Sequence, residues 1–256
     1  MRSSLISYAV VAFSLSVAGV WAPVHAATVR NIVIVHGAFA DGSGWKKVSE
    51  LLAAKGYQVS IVQQPLNSLQ DDIAATRRVL ALQDGPTLLV GHSYGGMVIT
   101  GAGNDSKVNG LVYVAAFQPA DGESLISLAE RMPVVDAPPG TIKATADDYL
   151  YLDPTAFAAA FSADLPKAES DFLARSQVFA AKAAFTAPSS APAWKSKPSW
   201  SIVATLDRSI NPALEREMAM RAGSKIREIK ASHAVYVSQP AKVAQVIVEA
   251  AKEVSK

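Results

Sequence analysis

A glycine-flanked serine is the part of the sequence best suited to covalent chemistry. The run Gly91-His92-Ser93-Tyr94-Gly95 follows the apolar residues 88–90 and precedes an apolar helical pattern. A serine at a tight strand-to-helix turn lies in strained backbone geometry, and flanking glycines leave room for the neighbouring chain. The following helix directs unpaired N–H groups toward an anion beside the serine. The sequence therefore predicts that Ser93 is a nucleophile.

A serine hydroxyl needs a general base to attack a carbonyl, and three histidines of the chain after residue 26 are candidates. His36 ends the first predicted strand, and His92 lies inside the turn, facing away from the position that Ser93 must use. We interpret both as structural residues. His233 lies in a loop between the last predicted strand and the last predicted helix, at the sheet edge where functional residues collect. His233 is therefore the predicted base.

The base needs an acid to orient it. Asp207 directly follows a predicted strand and precedes His233, which gives the chain order serine, aspartate, histidine. Asp121 and Asp136 follow an earlier strand and remain alternative acids. Asp207 is the favoured candidate because its strand end is expected close to the sheet edge that carries His233.

Strand patterns alternate with helical patterns along most of the chain. Near-continuous apolar runs are typical of strands buried on both faces of a parallel sheet. The predicted strands are 29–35, 57–62, 87–90, 108–115, 201–206 and 225–229, and the clearest helical patterns are 45–55, 69–80, 212–222 and 243–254. This alternation predicts an α/β fold with an open, mostly parallel sheet and helices on both faces, since too few units remain to close a barrel.

Residues 117–199 break this alternation. Nine of the 14 prolines fall here, a density that argues against sheet strands. Asp153-Pro154 and Pro166 each resemble a helix start. We predict a small helical cap inserted into a single domain that spans residues 27–256. A disordered linker is the alternative, but the segment contains many apolar anchors.

Aromatic residues are the candidates for the substrate pocket, because ligand cavities are lined mainly by apolar side chains. The predicted pocket residues are Phe39, Phe117, Tyr149, Tyr151 and Trp194. Each of them also fits a role in core packing.

The N-terminal residues resemble a secretory signal. Arg2 precedes an apolar run over residues 5–20, and small residues follow. Cleavage after Ala26 would leave an exported protein, periplasmic or secreted, without a stable membrane anchor. An uncleaved anchor is the alternative, but the run contains three serines and is shorter than the roughly 20 residues of a spanning helix.

Composition excludes several classes of function. Lys and Arg number 24 against 22 Asp and Glu, so nothing indicates binding to nucleic acid. The chain has no cysteine, which excludes disulfides, thiolate catalysis and thiolate metal sites. We expect no metal, no cofactor and a small-molecule ester as the partner. Composition does not indicate the oligomeric state.

These motifs together resemble the α/β-hydrolase fold superfamily, over essentially the whole chain after residue 26. The resemblance is carried by His36-Gly37-Ala38, Gly91-His92-Ser93-Tyr94-Gly95-Gly96, Leu206-Asp207-Arg208 and Ser232-His233-Ala234. It implies that the main-chain N–H groups of Ala38 and Tyr94 form an oxyanion hole. Within the superfamily the chain is similar to the small esterase and hydroxynitrile lyase branch.

The sequence departs from the lyase pattern of that branch. Gly37 and Ala234 stand where similar lyases carry a polar side chain or a lysine, and a lyase needs a positive group for departing cyanide. Lys230 is near in sequence, but a lysine at a strand end is expected to be solvated. We therefore predict a serine esterase that cleaves a carboxylic ester of a small or hydrophobic substrate through an acyl-enzyme on Ser93. A cyanohydrin lyase and a non-catalytic ligand-binding member remain the alternatives.

Overall fold

The central element of the fold is a six-stranded sheet in which every pairing is parallel. The computed structural model describes residues 28–135 and 140–255. The strand order is β2-β1-β3-β4-β8-β9. These strands are β1 (Asn31–Val35), β2 (Gln58–Val62), β3 (Thr87–Ser93), β4 (Val108–Ala116), β8 (Ser199–Ala204) and β9 (Lys225–Ile229). The predicted fold class is confirmed.

Helices cover both faces of this sheet and form two apolar layers. One layer contains α1 (Lys46–Ala53), α9 (Val235–Ser238) and α10 (Pro240–Glu253). The other contains α2 (Leu69–Ala81), α3 (Gly95–Ala102) and α8 (Pro212–Arg221). Strands β1 and β3 are buried along their whole length, which explains their continuous apolar sequences.

Several element boundaries differ from those that the sequence predicts. β3 continues beyond residue 90 to Ser93, which pairs with Ala116 of β4. β8 begins and ends two residues before the predicted 201–206, and Leu206 lies in the turn beyond it, 49% exposed. The predicted helix 45–55 begins as a short 3₁₀ turn, Gly42–Trp45, before α1.

Residues 117–198 lie between β4 and β8, and we call this segment the insertion. Its elements are α4 (Leu125–Arg131), β5 (Ile142–Ala144), β6 (Tyr149–Leu152), α5 (Phe157–Phe161), α6 (Lys167–Ser176), β7 (Ala180–Ala181) and α7 (Lys182–Thr186), with a 3₁₀ turn at Ala193–Lys195. The predicted helices are present, but β5, β6 and β7 form an antiparallel sheet, so the expectation that the proline density excludes strands is wrong. The seven described prolines of the insertion all lie outside these short strands.

The insertion is tied to the carboxyl edge of the central sheet through main-chain groups. The Ala234 amide donates to the Phe161 carbonyl at 2.9 Å, and the Ser209 hydroxyl donates to the Ala160 carbonyl at 2.9 Å. Both donors belong to loops that follow sheet strands. The end of α5 is therefore held directly over these loops.

Two predictions fall on residues outside the described part of the chain: the signal segment 1–26 and the alternative acid Asp136. Within residues 28–135 and 140–255, no helix is long and apolar enough to cross a membrane.

Candidate active site

Ser93 occupies a strained turn that only its glycine neighbours permit. Its φ of +52° lies in the left-handed region, where residues other than glycine are uncommon. A Cβ at Gly91 would lie 2.6 Å from the Gly95 carbonyl oxygen, and one at Gly95 would lie 2.6 Å from the Val35 carbonyl oxygen. A side chain at either glycine would therefore displace main chain. This packing fixes Ser93 at the end of β3, between strand and helix.

An imidazole and a carboxylate meet beside this turn. His233 Nδ1 lies 2.6 Å from Asp207 Oδ2, and both side chains are buried. The other Asp207 oxygen accepts from the amides of Ser209 at 2.7 Å and Ile210 at 2.9 Å. An ionised Asp207 accepts from Nδ1, so the proton of a neutral imidazole lies on Nδ1 and Nε2 is free to accept another.

The two alternative acids have different positions. Asp121 accepts from the Ala191 amide at 3.0 Å, within the insertion and at an exposed site. Asp136 lies outside the described residues. The carboxylate that pairs with His233 is therefore that of Asp207.

His36 and His92 are buried against main chain. Burial lowers the pKa of His36, whose Nδ1 lies 2.8 Å from the Gly37 carbonyl oxygen. Burial, and then the charge of His233, lowers the pKa of His92 well below its ordinary value. His92 Nε2 donates to the main-chain oxygen of His233 at 3.1 Å. Both rings are therefore neutral, and His92 supports the loop that carries His233.

A cavity of about 310 Å³ opens at these residues, and Ser93, His233, Ala38 and Tyr94 line it. No hydrogen bond joins the Ser93 and His233 side chains. Hydrogen bonds between such groups are often long or poorly aligned in the absence of substrate. The amides of Ala38 and Tyr94 make no hydrogen bond to any described residue. Phe39 follows with a left-handed φ of +59°. Two unpaired amides thus border Ser93.

Apolar side chains form most of the cavity wall. Phe39 and Phe117, predicted from the sequence, are among them. The other apolar residues of the wall were not predicted from the sequence: they come from α4 and its C-cap, β6, α5, α7 and α8, and include Leu125, Ala129, Met132, Leu152, Phe161, Phe185 and Leu214. The sequence around α4 could have indicated this helix, because a helix N-cap at Ser124 precedes apolar residues at helical spacing.

The structure places the other three predicted pocket residues away from this wall. Tyr149 donates to an asparagine side chain at 3.0 Å, outside the cavity. The Tyr151 ring stacks on Phe179 with ring centres 5.0 Å apart. Trp194 donates from its indole nitrogen to the Pro119 carbonyl at 2.7 Å. Each is occupied by a contact within the insertion or with a neighbouring loop.

The cavity wall contains one cation among the described residues, Arg208, which is exposed and follows Asp207 directly. Lys230 is exposed and lies outside the wall. Within the described part of the chain, no group of three or more histidine or acidic side chains is placed to hold a metal ion.

Two curated relatives share parts of this sequence. A carbendazim hydrolyzing esterase of Nocardioides sp. (strain SG-4G) is 36% identical over 115 residues, which cover 40% of this chain and 48% of the relative. A pyrethroid hydrolase of Sphingobium wenxiniae is 34% identical over 108 residues, which cover 37% of this chain and 39% of the relative. The chain therefore matches less than half the length of either protein.

A crystal structure of a pyrethroid hydrolase is similar in fold, with a TM-score of 0.78 and 24% identity over 90% of this chain and 100% of that one. The family model described as "Alpha/beta hydrolase family" matches residues 32–246, which include the Ser93 turn and the His233 loop. The chain therefore belongs to the alpha/beta hydrolase family.

Proposed function

We propose that this chain hydrolyses carboxylic esters of apolar acids or alcohols through a covalent acyl-enzyme on Ser93. The observation that carries the proposal is the buried His233–Asp207 pair, joined at 2.6 Å, whose imidazole lines the same apolar cavity as Ser93. The names of the two relatives, an esterase and a pyrethroid hydrolase, support ester cleavage. The substrate contacts in this proposal are Phe39, Phe117 and the apolar wall of the insertion.

Acylation begins when Ser93 Oγ attacks the carbonyl carbon of the ester and His233 Nε2 takes the hydroxyl proton. The carbonyl oxygen gains the negative charge and accepts hydrogen bonds from the amides of Ala38 and Tyr94. His233 then gives its proton to the alcohol oxygen as the carbon–oxygen bond breaks. The alcohol leaves, and the acyl group remains on Ser93.

Deacylation repeats these steps with water. His233 takes a proton from the water molecule, whose oxygen attacks the acyl carbon, and then returns that proton to Ser93 Oγ. The carboxylic acid leaves. Asp207 stabilises the imidazolium in both halves of the reaction. The cavity volume lies at the lower end of the usual range for ligand sites, so we expect small or mid-sized apolar groups to fit it.

The proposal includes export of a mature single domain that begins at residue 27, with the insertion as a cap over the site. N-terminal sequencing of the protein purified from its native host tests the cleavage after Ala26. An N-terminus that retains the apolar run would contradict it.

Labelling of the nucleophile tests the reaction itself. A serine-directed aryl phosphonate should form one adduct, mapped to Ser93 by mass spectrometry, and an activated aryl ester should give a burst of one equivalent of alcohol. Ser93→Ala should lose both signals, whereas the exposed Ser127→Ala should keep them. A label on another residue, or ester turnover by Ser93→Ala, contradicts the proposal.

A cyanohydrin lyase is the second candidate, and the position of Arg208 in the cavity wall favours it, since a fixed cation stabilises departing cyanide. Arg208 is exposed, however, so water screens its charge. We expect no cyanide release from an aromatic cyanohydrin above the uncatalysed rate. Cyanide release that vanishes in Ser93→Ala, without ester turnover, would favour the lyase.

A further inference from the structure

A carboxyl group without hydrogen-bond donors lies in the first turn of α8. Glu215 is 1% exposed, and neither of its buried carboxyl oxygens accepts a hydrogen bond from a described residue. An ionised carboxylate in such surroundings carries a large desolvation cost without compensation. The group is therefore stable there only as the neutral acid, which has a proton to donate.

The acceptor for that proton is close. The Asp207 carboxyl acts on that of Glu215 both through its charge and through a side-chain contact. Asp207 already accepts from two main-chain amides and from His233, all of which favour its ionised form. Two carboxyl groups that share a buried site do not both ionise. The donors around Asp207 assign the negative charge to Asp207 and the proton to Glu215.

Other groups near Glu215 do not reverse this assignment. Burial, followed by the charge of Asp207, raises the pKa of Glu215 well above its ordinary value. The Ala204 amide, although its geometry does not make it a hydrogen-bond donor to the carboxyl, and the charge of Arg216 both lower this pKa. The Arg216 guanidinium, however, is turned toward Glu228, with Nε 2.6 Å from a carboxylate oxygen.

We propose that Glu215 is a positioning residue that donates a hydrogen bond to Asp207 and so holds that carboxylate toward His233. Glu215 does not line the cavity, so its effect on the reaction passes through Asp207. A donor behind the carboxylate fixes its orientation and shares its charge, as outer hydrogen bonds do for other buried polar networks. The expected effect on catalysis rests on the proposed function. The hydrogen bond from Glu215 to Asp207 does not.

Stability measured against pH tests the proton on Glu215 without any substrate. In the unfolded chain Glu215 ionises near pH 4.3, so above that pH the folded wild type holds one proton more than the unfolded state. As the pH rises, the loss of this proton on unfolding therefore increases the unfolding equilibrium constant of the wild type about tenfold per pH unit. Glu215→Gln has no such proton, so its constant lacks this contribution. Urea titrations between about pH 5.5 and 7.5 measure the ratio of the two constants, in which every other titrating group cancels.

A constant ratio across that range would show that Glu215 is ionised in the folded protein, and the proposal would fail. The buried Asp72 also titrates here, because burial raises its pKa to about 6, but it is present in both proteins. The measurement requires only that Glu215→Gln folds. Glutamine has the size of glutamic acid and keeps a hydrogen-bond donor at the end of the side chain.

Spectroscopy and kinetics test the bond to Asp207. Nuclear magnetic resonance of the proton on His233 Nδ1 reports its bond to Asp207, and this resonance should move in Glu215→Leu and stay in Glu215→Gln. Glu215→Leu should lower kcat about tenfold, with KM unchanged, and Glu215→Gln should restore it to within about threefold. A resonance and a kcat that are unaltered in Glu215→Leu, or equally altered in both variants, overturn the proposal. If wild type cleaves no ester, the resonance and the pH dependence still decide it.

Discussion

The carboxyl edge of the central sheet and the insertion contribute to one cavity in different ways. At the edge, the main chain positions the polar groups: Ser93 ends a strand in a left-handed turn, and two amides hold Asp207. In the insertion, apolar side chains such as Phe161 and Phe185 fill space around the cavity. In the proposed reaction the first region places the reacting atoms and the second shapes the wall, so we expect variants of the first to change kcat and variants of the second to change KM.

Replacement of the acid at the sheet edge should have the largest effect. Asp207→Asn keeps the shape of the side chain but favours the wrong tautomer of His233, and in serine protease triads this change costs about 10⁴-fold in kcat. Steady-state kinetics with an activated aryl ester measure the loss, and circular dichroism checks the fold. Asp121→Asn is the matched control and should keep wild-type kcat, because Asp121 bonds only within the insertion. A comparable loss in Asp121→Asn would contradict the assignment.

A side chain added at Gly95, in the Ser93 turn, should destabilise the folded protein. Gly95→Ala brings a Cβ within 2.6 Å of the Val35 carbonyl oxygen, which cannot move without disturbing β1. We expect a loss of about 3 kcal/mol in the free energy of unfolding, measured by urea denaturation. Gly85→Ala is the control, because the nearest atom to its Cβ lies 4.0 Å away. Equal stabilities of the two variants would show that the turn is not tightly packed.

The difference between the two regions also explains what the sequence predicts well. Ser93, Asp207 and His233 lie at strand ends, and parallel strands bring their carboxyl ends to one edge, so an error of two residues in β8 leaves the site recognisable. No comparable geometric relation indicates which residues of the insertion lie close together. β5 and β7 have three and two residues, too few for a periodic pattern. Tyr151 packs on an aromatic ring 28 residues away, a contact that no local spacing indicates.

A variant in the wall should separate selectivity from rate. Phe185 is buried in the wall and lies edge-on to Phe39, with ring centres 5.7 Å apart. Phe185→Leu removes ring contacts with the substrate, so we expect KM for a small aryl ester to rise about fivefold while kcat stays within about twofold. Phe179→Leu is the control, because Phe179 is 44% exposed and outside the wall, and its KM should not change. A fall in kcat alone for Phe185→Leu would show that the wall also positions the reacting groups.

The smallest effect should come from an aromatic residue of the insertion that does not line the cavity. Trp194→Phe removes the indole N–H that donates to the Pro119 carbonyl at 2.7 Å and leaves that carbonyl without this donor. The free energy of unfolding should fall by about 1 kcal/mol, and KM for the aryl ester should stay at the wild-type value because the cavity wall is unchanged. Phe117→Leu provides the contrast, since Phe117 lines the cavity and its shortening should raise KM. If Trp194→Phe raised KM as much as Phe117→Leu does, substrate would reach beyond the cavity wall, and the division between wall and support within the insertion would be wrong.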